Sequence, residues 1–373
     1  MASFQSDPNR YRLDKVLSWF YSERKIIFFF VMHFFATMAV WQHFAHSKFK
    51  VQEAKVPEGA NLFWWKRLTP TVEFGAMHAI LLQMSLLPLT MARYSIAFLS
   101  ETFVAKFVPF QRVTAMHIHL GYTMVFIVFF ATVLFFTFFG QGCVQQKSGL
   151  EPLDPNGKMN FCELMTSEIM NTGYGILAIL LIIGATSYLR NVIPYEVFYV
   201  THHLVFVMFF IAIAHTFDDK ARAGQSRSQN FKWFTASLIW YLSDRAFMVY
   251  NTETAPVVEW KALSGDDDGD DSKGRMLIVR LKRPAHWKFQ PGQFVSICAS
   301  SLLGDYSWHP FSIGSSSTDP TLDLYIQVQA PGSWTDRLWH VARTRPLQMD
   351  LSNFLLPTLK MQGPFGAALA SWK

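Results

Sequence analysis

Two histidines thirteen residues apart, His202 and His215, stand near the ends of one apolar stretch, residues 195–217. An imidazole at membrane depth needs a hydrogen-bond partner or a metal. Thirteen residues of helix rise roughly 20 Å. That suits two haems stacked across a bilayer, each taking an axial imidazole. Thirteen steps of about 100° do not return to one stripe, so both rings can serve only on a tilted or locally rewound helix. The competing reading is a buried helix whose histidines bond neighbouring backbone.

A second group of residues lies near the C-terminal end: Pro291-Gly292-Gln293-Phe294, Trp308 followed by His309-Pro310-Phe311-Ser312, Gly332-Ser333-Trp334-Thr335, and Gly363-Pro364-Phe365-Gly366. A flavin needs a flat apolar wall, a hydrogen-bond partner at its reactive ring edge and backbone donors for its diphosphate. Pro310 and Phe311 can supply the wall, Ser312 the hydroxyl, and the turn at residues 332–335 the donors. A buried strand explains each tetrapeptide alone equally well; their order and spacing together carry the reading.

The elements that would hold these groups fall into two halves. The chain is 51% hydrophobic, with 36 Phe, 16 Met and only 16% charged residues, which points to a membrane protein with a water-exposed part. Its net charge of +6 is scattered, so no nucleic-acid site is expected. Residues 1–25 are polar and carry five basic side chains, unlike a cleavable signal peptide. Apolar runs predict spans at residues 26–45, 72–99, 117–139, 174–189, 195–217 and 231–250. Pro88 is expected to kink the second. Basic residues on the two sides nearly balance, so charge does not orient the bundle. Of three cysteines, Cys143 and Cys162 share one polar loop and can pair across nineteen residues, free thiols being the alternative.

From Pro256 the pattern changes to short strands with Pro/Gly punctuation, at residues 257–263, 275–281, 294–299, 309–314 and 322–329, then a short helix at 334–341. That predicts a small antiparallel β-barrel. The acidic run at residues 265–271 fails the EF-hand spacing, because Leu277 stands where a closing Glu is needed, and reads as a solvated hairpin loop.

From about residue 70 the chain resembles the ferric reductase and NADPH oxidase superfamily, most of all the NADPH oxidases and dual oxidases. His309-Pro310-Phe311-Ser312 resembles its flavin-binding His-Pro-Phe-Thr/Ser, and Gly332-Ser333-Trp334-Thr335 its Gly-x-Trp-Thr. Gly363-Pro364-Phe365-Gly366 resembles the junction that opens its nucleotide-binding domain, and residues 195–204 resemble the start of its fifth helix. The resemblance implies His202 and His215 as haem ligands and, counting from Pro109, His117 as their partner on helix three. It implies FAD held by His309, Pro310, Phe311, Ser312, Gly332, Trp334 and Thr335. Asp244 and Arg245 resemble an acidic–Arg pair near the family's flavin docking surface, though interfacial charges explain them too.

Three departures stand out. The family's second helix-three ligand, fourteen residues after the first, falls on Ala131, and His119 does not restore the spacing. A family Arg near the outer haem falls on Phe74. No Gly-x-Gly-x-x-Gly run occurs before Lys373, so NADPH binding is placed on a region outside this sequence. His78 is the leading substitute ligand, a hydrogen-bonded intramembrane histidine being its other reading.

These readings give a six-helix haem-binding bundle at residues 26–250 after a cytosolic segment, 1–25, then an FAD-binding antiparallel barrel at 251–366 and, at 367–373, the start of a truncated NADPH-binding domain. The implied function is transmembrane electron transfer from NADPH through FAD and one or two b haems to oxygen, giving superoxide or peroxide. Alternatives are a ferric-chelate reductase of the same plan and a non-catalytic haem-protein subunit. A proton channel or transporter leaves residues 309–312 unused. Expected partners are membrane lipid, oxygen or a ferric chelate, and a regulatory subunit or a second copy. The expected location is the plasma membrane, with the N-terminus and FAD domain in the cytosol.

Overall fold

The computed structural model describes residues 8–60, 63–149, 160–216, 231–264, 274–344 and 356–366. The acidic run, residues 218–230 and residues 367–373 lie outside these. The chain forms two compact units, a helical one of residues 1–90 and 113–240 and a sheet unit of residues 91–112 and 241–373.

In chain order the helices are α1 (Pro8–Lys55), α2 (Phe63–Leu86), α3 (Arg93–Ser100), α4 (Val113–Lys147), α5 (Phe161–Leu164) and α6 (Glu168–Tyr188). Then come α7 (Tyr195–His202), α8 (Leu204–Thr216) and α9 (Lys232–Tyr250). The sheet unit adds β1 (Glu253–Leu263), β2 (Met276–Lys282), β3 (Phe294–Cys298), α10 (Ser300–Leu303), β4 (His309–Ser312), β5 (Thr321–Gln327), α11 (Trp334–Thr344) and β6 (Thr358–Phe365).

Among the described residues, five segments are long and apolar enough to cross a membrane: Ser18–Lys55, Phe63–Met91, Phe110–Lys147, Met170–Tyr188 and Tyr195–His215. The expected sixth forms as α9, but its polar residues leave it short of that apolarity. The first span is longer than its apolar run because helix continues through the polar residues on both sides. The second starts earlier, at Phe63, and ends at Leu86. Pro88, lacking an N–H, stops it rather than kinking it, and the chain passes into a 3₁₀ turn, Leu89–Met91. Lys66 and Arg67, expected in a polar connection, are buried in the first turns of α2. Arg67 donates to the carbonyls of Val56 (2.8 Å) and Glu53 (3.3 Å), satisfying acceptors that α1 leaves open at its C-terminal end.

The bundle interior is a cluster of Leu81, Met84, Met124, Leu180, Met208, Phe209, Ala212 and Phe234. Beside it runs a buried polar chain. Gln83 Oε1 accepts from His33 Nε2 at 2.8 Å, Thr37 Oγ1 stands 3.3 Å from the same nitrogen, and His33 Nδ1 meets His119 Nε2 at 3.0 Å. Cys143 and Cys162 form a disulfide, with Cα atoms 4.6 Å apart, tying the end of α4 to α5.

In the sheet unit six strands run in the order β4-β3-β6-β1-β2-β5. β2 and β5 alternate buried and outward residues and pair Leu277 with Ile326, Val279 with Leu324 and Leu281 with Leu322. These six side chains form one core with Leu338 and Trp339 of α11. The outermost strands approach each other where Ile313, just past β4, bridges Leu324. β6 was not expected as a strand: the Gly363-Pro364-Phe365 motif read as a junction lies inside it, between β1 and β3. Residues 91–99, expected as the end of the second span, and the connection after them instead include α3, whose first amides are held by Asp244: its carboxylate accepts from Ser95 N (2.8 Å) and Ser95 Oγ (2.7 Å). Arg245 donates to the Met91 carbonyl at 3.0 Å.

Gly75 tests the α1–α2 contact. A Cβ there would stand 2.5 Å from Trp41 Cδ1 and 2.7 Å from the Trp41 carbonyl oxygen, whereas one on Gly121 of α4 meets nothing within 4 Å. Gly75→Ala is expected to destabilise the bundle by about 1–3 kcal/mol. Thermal unfolding of the detergent-solubilised chain should show a lower midpoint for Gly75→Ala and no loss for Gly121→Ala.

Candidate functional site

Backbone geometry in the helical unit decides which histidines meet. His117 and His119 are two residues apart, about 200° around α4, and so face opposite sides. His119 joins the polar chain above; His117 faces His202, their ring centres 6.1 Å apart and planes at 63°. Two metal–nitrogen bonds of about 2 Å plus the two half-rings come to roughly 6 Å, so one iron fits between these imidazoles.

The far nitrogens are engaged. Thr90 Oγ1 lies 2.8 Å from His117 Nδ1, and Ser187 Oγ lies 3.5 Å from His202 Nδ1. Metal-bound histidines characteristically use their second nitrogen in this way. His215 shows the same pattern, with Thr172 Oγ1 at 2.8 Å from its Nδ1. His202 and His215 thus both turn towards α6. The rewinding that their spacing demanded is present: the helix breaks at His203, where α7 ends and α8 begins, and Phe206 N bonds the His203 carbonyl.

His78 sits in different surroundings. Its Nδ1 donates to the Phe74 carbonyl at 2.9 Å, and its ring stacks on Phe44 at 3.6 Å with Trp233 at 6.1 Å. Ala131 packs with Ala76, Ala79 and Ile127 beside Trp41. At Phe74 a cation is nevertheless close, since Lys48 Nζ stands 5.4 Å from the ring centre.

In the sheet unit β4 alternates, with Pro310 and Ser312 exposed and His309 and Phe311 half-buried. His309 stacks on Trp334 at 4.3 Å, and Phe311 lies 5.9 Å from the same indole. Phe311 therefore supports Trp334, and Pro310 and Ser312 are the outward pair of this strand. The turn at residues 332–335 is partly spent on itself. Gly332, at φ +79°, donates its N–H to Asp336 Oδ2 at 2.8 Å, and Ser333 N bonds the Ala330 carbonyl. Thr335 is buried, with Oγ1 accepting from Gln329 N at 2.9 Å. Two features still suit a bound dinucleotide: nothing lies within 4 Å of a Cβ built on Gly332, leaving its backbone approachable, and Trp334 Nε1 is buried without an acceptor.

A protein-family model described as the ferric reductase like transmembrane component matches residues 74–213, and one described as an FAD-binding domain matches residues 270–369. Over these two stretches the chain is similar to the ferric reductase-like and NADPH oxidase superfamily. A superoxide-generating NADPH oxidase heavy chain of Dictyostelium discoideum is 29% identical over 206 residues, 52% of this chain and 28% of that protein. Dual oxidase 1 of Caenorhabditis elegans is 24% identical over 309 residues, 80% of this chain and 19% of that protein. A respiratory burst oxidase homolog of Oryza sativa is 23% identical over 201 residues, 50% of this chain and 21% of that protein. The chain thus spans less than a third of the length of these oxidases.

The hydroxyls of Thr90, Thr172 and Ser187 and the His33–Gln83–His119 chain were not foreseen from sequence. A signal was present: polar residues inside apolar helices require partners. Which polar residue answers which is not written in spacing.

The sheet unit carries a buried ion pair, Arg275 to Asp336 at 2.7 Å, both side chains under a tenth exposed. The Gly332 amide above all, and the Arg275 guanidinium, hold the Asp336 carboxyl below its usual range against the opposing effect of burial. Asp336→Asn leaves a guanidinium buried without its counter-charge and is expected to destabilise this unit by about 3–5 kcal/mol, read as a fall in its urea midpoint. Burial pushes His309 below its ordinary 6.5. The unfolded imidazole therefore takes up its proton first as pH falls through about 6.5. Stability falls in that window and levels off below the folded value. Denaturation at about pH 7.5 and about pH 5.5 should show this loss in the native chain and a smaller one in His309→Gln.

Proposed function

We propose that the chain carries electrons singly across a membrane, from a two-electron donor on the cytosolic side to an acceptor on the outer side. When bound, FAD would supply the conversion of an electron pair into single electrons, and haem would supply one-electron passage. His117 and His202 offer Nε2 to one iron, and the 6.1 Å separation of their rings is the observation that carries this reading. Thr90 holds the second nitrogen of His117, and Ser187 stands farther from that of His202, at 3.5 Å. The apolar cluster around Met124, Met208 and Phe209 keeps water from the bundle interior. Pro310 and Ser312 present the flavin face, and the backbone at Gly332 offers an open approach for the diphosphate. We read α9 as the sixth span, the strands as a barrel closed at Ile313–Leu324, and the setting as the plasma membrane.

Oxygen is the favoured acceptor because the relatives bear the names superoxide-generating NADPH oxidase, respiratory burst oxidase and dual oxidase. NADPH is the corresponding donor. A non-catalytic haem-protein subunit is the second reading, supported by Ala131, which offers His215 no opposing ligand and packs into an alanine-rich contact. His78, with Nδ1 committed and Nε2 left over, is the proposed substitute.

Spectroscopy of the purified chain tests the assignment. A six-coordinate low-spin Soret spectrum is expected, lost in His117→Ala and in His202→Ala and retained in His119→Ala. Were His119→Ala the variant that loses it, the pairing would be wrong.

A further inference from the structure

The hydroxyl facing His117 has a defined direction, and that direction has a consequence. Pro88 ends α2, and the following turn, Leu89–Met91, places Thr90 against α4 with under a tenth of its surface exposed. Thr90 Oγ1 lies 2.6 Å from the Leu87 carbonyl oxygen, which can only accept, so the hydroxyl proton points there. Its oxygen is left as an acceptor, 2.8 Å from His117 Nδ1. The proton between them therefore belongs to His117 Nδ1, and Nε2 is the nitrogen with a lone pair. The hydroxyl facing His202 is weaker: 3.5 Å lies outside the usual N–H···O range. The two imidazoles are thus held unequally.

We propose that Thr90 is a positioning residue that fixes the tautomer of His117 and strengthens its Nε2 as a donor, thereby setting the reduction potential of iron held by His117 and His202. This rests on the proposed haem pairing. A hydrogen bond accepted from Nδ1–H raises the basicity of the opposite nitrogen, and a more basic ligand favours ferric over ferrous iron. The closer bond makes Thr90 the stronger lever, with Ser187 the lesser one.

Spectroelectrochemical titration of the haem-loaded chain decides the matter. Thr90→Val keeps shape and removes the hydroxyl. It should retain the six-coordinate spectrum while its ferric/ferrous equilibrium moves about tenfold towards ferrous, a positive shift of about 59 mV for one electron. Thr90→Ser should restore the native potential, and Ser187→Ala should shift it less than Thr90→Val. Thr123→Val is the control, since that hydroxyl bonds only the His119 backbone carbonyl, at 2.9 Å, among the described hydrogen bonds. A native-like potential in Thr90→Val with an unchanged spectrum overturns the proposal. Should that variant not fold, Thr90→Cys carries the test, because its thiol is a weak acceptor: a positive shift supports the proposal and an unmoved potential overturns it. A native chain that stays colourless with added haem removes the haem reading itself, a result distinct from a coloured chain whose potential does not move.

Discussion

A polar ring inside an apolar bundle must place each ring nitrogen against a partner or lose several kcal/mol. In the helical unit that requirement orders everything near the candidate iron site. His33 donates to Gln83 and faces His119 with its other nitrogen, so this chain joins α1, α2 and α4. His117, His202 and His215 instead each face one hydroxyl through Nδ1, and His117 and His202 turn their rings towards each other. The difference between a structural histidine and a candidate ligand is thus a difference in which nitrogen is already used.

The sheet unit obeys the same requirement with charges. Asp336 accepts from the Gly332 amide and from Arg275, which holds the turn at residues 332–335 in one shape beside β4. Trp334 is thereby fixed against His309 and Phe311. Pro310 and Ser312 are left as the outward pair. Likewise, Asp244 holds the first amides of α3, making residues 91–112 part of this unit rather than a free connection.

Much of the plan was legible in residue order. The strong apolar runs became the five long helices, and alternation placed β2 and β5 correctly because a half-buried strand has a period of two. The Cys143–Cys162 pair was readable from its shared loop. Errors fell where neighbours override local preference. Apolarity alone could not place the end of α1, because an established helix propagates through polar residues at little cost. β6 was missed because Gly363 and Pro364 argue against a strand, yet its other residues pair with β1 and β3.

The sequence by itself determined the classes of chemistry: imidazoles at membrane depth, a His-Pro-Phe-Ser strand, a Gly-Ser-Trp-Thr turn, and alanine at position 131. It also determined that the His202 and His215 rings could both serve only on a tilted or locally rewound helix. Only the tertiary structure decided that Thr90 stands against His117, that His119 joins His33 and Gln83, and that Phe311 backs Trp334 instead of facing outward. The physical reason is that a residue type limits which bonds a group can make. The partner is chosen by helix phase and by packing between segments far apart in the chain, neither of which spacing along one segment records.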